Sequence, residues 1–269
     1  MVKGIRWKAY GYVYRTRILK SLAYRFDVYG NILMQCIIMF AAAFFWKALY
    51  GDGGNVQGTT VDTMLTYTVM SSMMSVLFMT SVEQRVIHSV QKGTVATDML
   101  KPISLFGLYF FEDLGVLTSL IFQNMIPIFA VGSICIILPK PTSGTSFILF
   151  LVSLVLAFFI NWLLAACFSM WAFTAINMDP MIQVKKHLIR LLSGSIIPMW
   201  FFPKWLSGIL NLFPFVYIYQ LPLDIYVGKY TKETLFLRLG IQAIWVAVLF
   251  ALFVFLQKRV VKKVMVQGG

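Results

Sequence analysis

Residues 146–174, SFILFLVSLVLAFFINWLLAACFSMWAFT, set the class of this protein. The run holds no Asp, Glu, Lys or Arg across 29 residues. About 20 apolar residues in a helix cross the hydrocarbon of a bilayer, and a helix satisfies its own backbone groups there. Five further apolar segments lie around it, at 28–50, 62–82, 108–138, 187–211 and 236–257. The spacing predicts six transmembrane helices. Pro127, with Gln123 and Asn124 a turn earlier, predicts a kink in the third. Residues 207–232 hold Pro214, Pro222 and two Gly. They are too apolar for an ordinary loop and too interrupted for a plain span. The expectation is a re-entrant segment of one or two short helices dipping into the outer membrane face, buried in protein or lining a cavity.

Composition agrees. Of 269 residues, 59% are hydrophobic and only 12% charged, against about 25% charged in an ordinary soluble domain. Mean hydropathy is +0.80. The fold class is therefore an all-α integral membrane protein, a single transmembrane domain over residues 1–269. Spans and short loops leave no room for a soluble domain of about 100 residues, so any ATPase would have to be a separate chain. The apolar run that begins at Val28 is too long for a signal-peptide core and reads as the first true span.

The net charge of +13 is not a nucleic-acid footprint, because the basic residues flank apolar runs. With six spans, seventeen of the 23 Lys and Arg fall on the side of the two termini, including Lys3, Arg25, Arg85, Lys92, Lys101, Lys185, Arg190 and Lys263. The positive-inside rule puts both termini in the cytoplasm. Residues 1–25 read as an amphipathic helix, with Trp7, Tyr10, Tyr14, Ile18 and Leu22 on one face and basic residues around them. Such a helix lies in the cytoplasmic interface or packs on the spans from below. Cys36, Cys135 and Cys167 sit in apolar runs without CxxC spacing and read as small buried side chains.

Several chemistries lack their motifs. There is no HExxH, no GxSxG and no GxxxxGK[ST], which excludes zinc-protease, nucleophile-elbow and phosphate-cradling sites of those kinds. No metal or other cofactor is expected in the chain. The mid-span polar residues are neutral: Asn31, Gln35, Gln123, Asn124, Asn161 and Gln242. They hydrogen-bond between helices or line a path. Ion-coupled transporters and intramembrane enzymes keep ionisable residues at membrane depth; charges deep inside these spans are absent, which counts against proton-coupled transport and for a drive supplied from outside the membrane. Glu112–Asp113 marks the cytoplasmic mouth of the third span.

The loop joining spans two and three, residues 83–105, mixes charge, a Gly-Thr turn and a Leu-Lys-Pro stop. Its segment QKGTVATDMLKPIS (residues 91–104), together with LLSGSIIPMWFFPKWLSGILNLFPFVYIYQLPLDIYVG (residues 191–228), resembles the permease subunits of bacterial type-2 ABC exporters (ABC-2 type). The resemblance covers essentially the whole chain. It implies a half-channel in the bacterial inner membrane, paired with a second permease (the same or a related chain) over two cytoplasmic ATPase subunits that bind ATP and Mg. It also implies that the 83–105 loop carries a coupling helix, with Arg85, Gln91, Lys92, Gly93, Thr94 and Asp98 facing the ATPase. Spans two and five would face each other and form the path.

Local chemistry fits that placement in more than one way. Span two is rich in Met and Ser, and Met70, Met73 and Met74 suit an adaptable apolar ligand surface, or simply helix packing. Ser193 and Ser195 in span five flank Gly194 and allow close helix approach. Phe201, Phe202, Phe213 and Phe215 form an outer apolar gate or an ordinary interfacial aromatic belt. The substrate expected from an apolar path is amphiphilic: a lipid, a hydrophobic drug or a small peptide antibiotic. A stand-alone secondary transporter or channel is the alternative reading.

Overall fold

In hydrocarbon a chain can spare no backbone hydrogen bond, and the computed structural model of this protein is all-α among the residues it describes. These are residues 2–23, 25–51, 56, 58–99, 103–137, 140–173 and 178–267, with the side chains of 2–6, 23, 25–27, 96, 99 and 260–267 left aside. Lys101 and Pro102 of the loop motif, and the side chains of Lys3, Arg25 and Lys263, lie outside the description. Five helical stretches are long and apolar enough to cross a membrane: Val28–Tyr50, Val61–Gln91, Leu105–Cys135, Gly144–Phe173 and Lys232–Arg259.

Before them, α1 (Val2–Ala23) lies along α6 (Leu105–Leu120). Tyr10 stacks on Phe111 at 4.7 Å, and the Tyr14 hydroxyl meets the Thr118 hydroxyl at 2.9 Å. Of the five-residue stripe, Tyr10, Tyr14 and Ile18 are half-buried, while Trp7 and Leu22 are exposed. The next helix, α2 (Arg25–Tyr50), packs on α3 (Val61–Leu77). After a short break at residues 78–81 the chain resumes as α4 (Val82–Gln91), then α5 (Val95–Met99). The expected kink in the third span is a π-helical turn, Ile121–Met125, between α6 and α7 (Ile126–Cys135). Pro127 lacks the N–H that would bond the carbonyl of Gln123, and the wider turn absorbs that loss.

The Ser143 hydroxyl caps α8 (Gly144–Ser169) by accepting from the Ser146 N–H. The helix packs along α12 (Lys232–Gln267) and against α4. Gln242 of α12 donates to the carbonyls of Ser153 (3.0 Å) and Tyr217 (2.9 Å) and accepts from the Ser153 hydroxyl. Asn161 donates to the Phe78 carbonyl at 2.9 Å, across the α3–α4 break. Two of the neutral mid-span residues thus hydrogen-bond between elements.

The sequence-based expectation of one continuous helix over 187–211 is corrected by the structure. There, α9 (Asp179–Leu192) stops at Leu192 and residues 193–198 are not helical. A 3₁₀ turn (Met199–Phe201) and the short α10 (Lys204–Leu210) follow. Gly194 takes φ +81°, a left-handed conformation open to glycine at little cost. Pro198 and Pro203 bring no N–H to continue a ladder. A second 3₁₀ turn (Pro214–Tyr217) leads to α11 (Gln220–Val227), which is buried against α8 and α3.

Candidate functional site

The loop between the second and third spans is a helical finger. The amphipathic α4 turns its Val82, Val86 and Ile87 inward against α8 and α6. Its far end turns at Lys92–Thr94, where Gly93 holds φ +68° and the Thr94 N–H returns to the Ser89 carbonyl at 2.9 Å. Gln91, Lys92, Gly93 and Thr94 are exposed at this tip. Asp98, on α5, accepts from the Ser89 hydroxyl at 3.4 Å. Of the six residues expected to face an ATPase, four therefore form the tip and Asp98 braces it. Arg85 lies on the stem: its guanidinium pairs with Glu112 and sits 3.2 Å from Asp113. A hollow of about 380 Å³ runs beside the stem, with Arg17, Arg85, His88, Gln91 and Asp179 in its walls.

Two buried carboxylates anchor the stem, and hydropathy located neither. Asp113 is 2% exposed. It accepts from the Ser81 N–H (3.2 Å), the Ser81 hydroxyl (2.6 Å), the Thr80 hydroxyl (3.1 Å) and the Trp162 indole N–H (3.1 Å). It thus caps the first turn of α4, where the helix dipole favours negative charge, and ties α4 to α6 and α8. Glu83, with no exposed surface, pairs with Lys185 of α9. Both carboxylates lie within helical stretches long enough to span: Asp113 in the first third of its stretch, where the acidic pair is expected at the mouth of the span, and Glu83 on the finger, beyond the break at residues 78–81. The only sequence signal was the acidic pair Glu112–Asp113. Nothing local marks Glu83, whose partner is 102 residues away.

Above the stem, a groove of about 370 Å³ opens between α2, α3 and α9, with Gln35, Ser75, Asn161, Lys186, Arg190 and Tyr219 among its lining. A smaller hollow continues it past Thr68, Ser71, Ser72 and Ser195. Among the residues expected on a path, Ser195 lines this hollow. Met70 and Met74 are packed into the core, Met73 is half-buried against it, and Ser193 is fully buried. The groove pairs polar and cationic side chains with an apolar wall of Phe78, Met79 and Ile189, so the methionine beside it is Met79 and none of the three expected. A larger cleft of about 640 Å³, between α6, α8 and α12, is walled almost entirely by Phe, Leu, Val and Ala. That composition suits contact with lipid acyl chains and offers no chemistry.

The groove is closed toward α11 by a buried polar knot. Tyr67 of α3 donates to the Gly194 carbonyl (2.6 Å) and to Gln220 Oε1 (3.0 Å). The Met199 N–H also donates to Gln220 Oε1 (2.8 Å), and the Gln220 N–H donates to the Ser193 carbonyl (3.0 Å). Gln220 Nε2 donates in turn to Asp224, which also accepts from the Tyr230 hydroxyl. The non-helical break after α9 is thereby satisfied, as backbone away from water must be. A Cβ on Gly194 would collide with the Gln220 side chain. The four phenylalanines expected at an outer gate fall in separate places. Phe201 stacks on Trp46 at 5.2 Å, Phe213 stacks on Phe215 at 6.0 Å, and Phe202 packs with Met199 and Leu210.

No cluster of metal-binding side chains occurs among the described residues. No curated protein matches the chain. A family model described as ABC-2 family transporter protein matches residues 36–268. That match takes in most of the first long span, the other four, the finger and the polar knot, and the chain accordingly belongs to the ABC-2 family as the membrane component of a transporter.

Proposed function

We propose that this chain is the half-channel of an ATP-driven exporter that moves an amphiphilic substrate out of the cell, powered by separate ATPase subunits that bind ATP and Mg. The observation that carries the reading is mechanical. The exposed finger tip is continuous with a stem whose two buried carboxylates grip α6, α8 and α9, so a push at the tip reaches the wall of the groove. A partner that closes on ATP biases a two-state element in this way. In this reading α9 and α10 form an interrupted fifth pass, which brings the count to six. Residues 207–232 re-enter from the outer face, both termini are cytoplasmic and α1 lies at the inner interface. Phe201, Phe202, Phe213 and Phe215 lie toward the outer end of the path, and Ser193 and Ser195 mark its turn.

The buried ionisable groups do not favour the stand-alone secondary transporter. Asp113 is held by several fixed donors and Glu83 by Lys185, which is how structural carboxylates are satisfied rather than how a proton carrier is left free. The test is co-expression with the partner ATPase. Gly93→Val strains the tip at its positive φ by about 1–3 kcal/mol, and it is expected to leave ATPase and permease co-purifying while export per ATP falls at least several-fold. Normal export by Gly93→Val, with no ATPase bound to the wild-type chain, would sink the reading.

The second permease is proposed to cover α9. Met181, Val184, Leu188 and Leu191 recur at three- and four-residue steps, and all are exposed. The helix makes few contacts within its own chain. An apolar seam of that spacing fits a facing helix. Leu188→Cys is expected to form a disulfide between two permeases under mild oxidation, whereas Leu237→Cys, exposed on α12, is expected to form none. Equal yields at both positions would place α9 against lipid instead.

A further inference from the structure

The groove carries more positive charge than the fold uses. Three cations of α9 line it, Lys185, Lys186 and Arg190, against one described carboxylate, Glu83. Lys185 is committed to Glu83. Lys186 and Arg190 make no ion pair and no side-chain hydrogen bond among the described residues. They stand four residues apart, where like charges destabilise a helix, and both are half-buried at the edge of an apolar helix bundle. A helical wheel turns them away from the exposed Met181–Leu188 seam and into the groove. Gln35 and Ser75 beside them are uncharged hydrogen-bonding groups. The apolar part of the groove wall is Phe78, Met79 and Ile189, whereas the hollow beyond Arg190 holds only about 70 Å³.

We propose that this groove takes an amphiphile with one acidic headgroup, a carboxylate or phosphate, held between Lys186 and Arg190 with its tail along Phe78, Met79 and Ile189. This narrows the substrate class and rests on the groove being the transport path. Charge-assisted hydrogen bonds to an acidic oxygen are the strong ones. A negative head there offsets positive charge that the fold leaves unpaired on Lys186 and Arg190. Neutral or cationic amphiphiles gain nothing from the two cations.

The test uses the permease–ATPase complex in phosphatidylcholine nanodiscs, with two photoactivatable diazirine probes, palmitate and hexadecanol. Palmitate is expected to label α3 and α9, and Lys186→Gln/Arg190→Gln is expected to reduce that labelling about ten-fold. Lys186→Arg/Arg190→Lys keeps the charges and is expected to keep the labelling, which separates charge from folding. Lys258→Gln/Arg259→Gln removes two interfacial cations elsewhere and is expected to change nothing. Phosphatidylglycerol added to the discs either displaces palmitate, assigning the head to a bilayer lipid, or does not, assigning it to a free acid; both results keep the site. Equal labelling by palmitate and hexadecanol, or an equal loss in Lys258→Gln/Arg259→Gln, overturns it. If labelling follows expectation but palmitate leaves ATP turnover unchanged, the acid site stands and the transport-path reading fails.

Discussion

Asp113→Ala is expected to cost this protein about 3–5 kcal/mol of stability, as for removal of one partner from a buried charged network. The reason is the number of donors one carboxylate satisfies. Without it, the Trp162 indole N–H, the Ser81 N–H and hydroxyl and the Thr80 hydroxyl lose their acceptor together. The Arg85 guanidinium keeps only Glu112 as its carboxylate. Water cannot replace these bonds, because the group is 2% exposed. Asp113→Asn keeps one acceptor oxygen and the side-chain shape, so its loss is expected to be clearly smaller. Thermal unfolding of the purified permease, followed by tryptophan fluorescence, measures both. Trp162 itself reports the site, and its emission is expected to shift in Asp113→Ala. Equal melting of wild type and Asp113→Ala would mean that the carboxylate is not the hub of the stem.

Hydropathy made the long helices legible, because a run such as residues 146–174 has one physical option in a bilayer. It also located the irregular turn in the third span, since Pro127 must free a carbonyl. It failed at 187–211 for an equally physical reason. Averaged hydrophobicity is blind to Gly194 at positive φ and to a backbone break repaired by Gln220 and Tyr67, which are distant in sequence. The finger was legible from its Gly-Thr turn and flanking charge, and four of its six expected contact residues do form the tip. The groove was less so. Methionines in span two read equally well as path or core, and only their packing placed Met70 and Met74 inside. Ser75 lines the groove and Ser71 and Ser72 the hollow beyond it, with Arg190 of α9 in the walls of both, a juxtaposition of segments more than 100 residues apart. The same distance hid the Glu83–Lys185 pair, although each residue alone looked like ordinary loop charge.

That pair allows stability and coupling to be separated. Lys185→Met leaves the Glu83 carboxylate without its ion-pair partner at a position of zero exposure, and a loss of about 3–5 kcal/mol is expected. Glu83→Gln/Lys185→Met removes both charges. Because a buried ion pair often contributes little beyond neutral residues of similar volume, the double variant is expected to melt close to wild type. The two substitutions are therefore strongly non-additive. Function is expected to follow a different order. Glu83 lies in the first turn of α4 and Lys185 on α9, so their bond is the one ion pair described between the finger and the wall of the groove. If the finger drives the groove, the double variant will be folded, bind its ATPase and hydrolyse ATP, yet export less per ATP than wild type. If the pair serves folding alone, export per ATP in the double variant will match wild type once its amount is equalised. Measuring melting temperature and export per ATP on the same preparations distinguishes the two, because only a mechanical role predicts recovery of the first without the second.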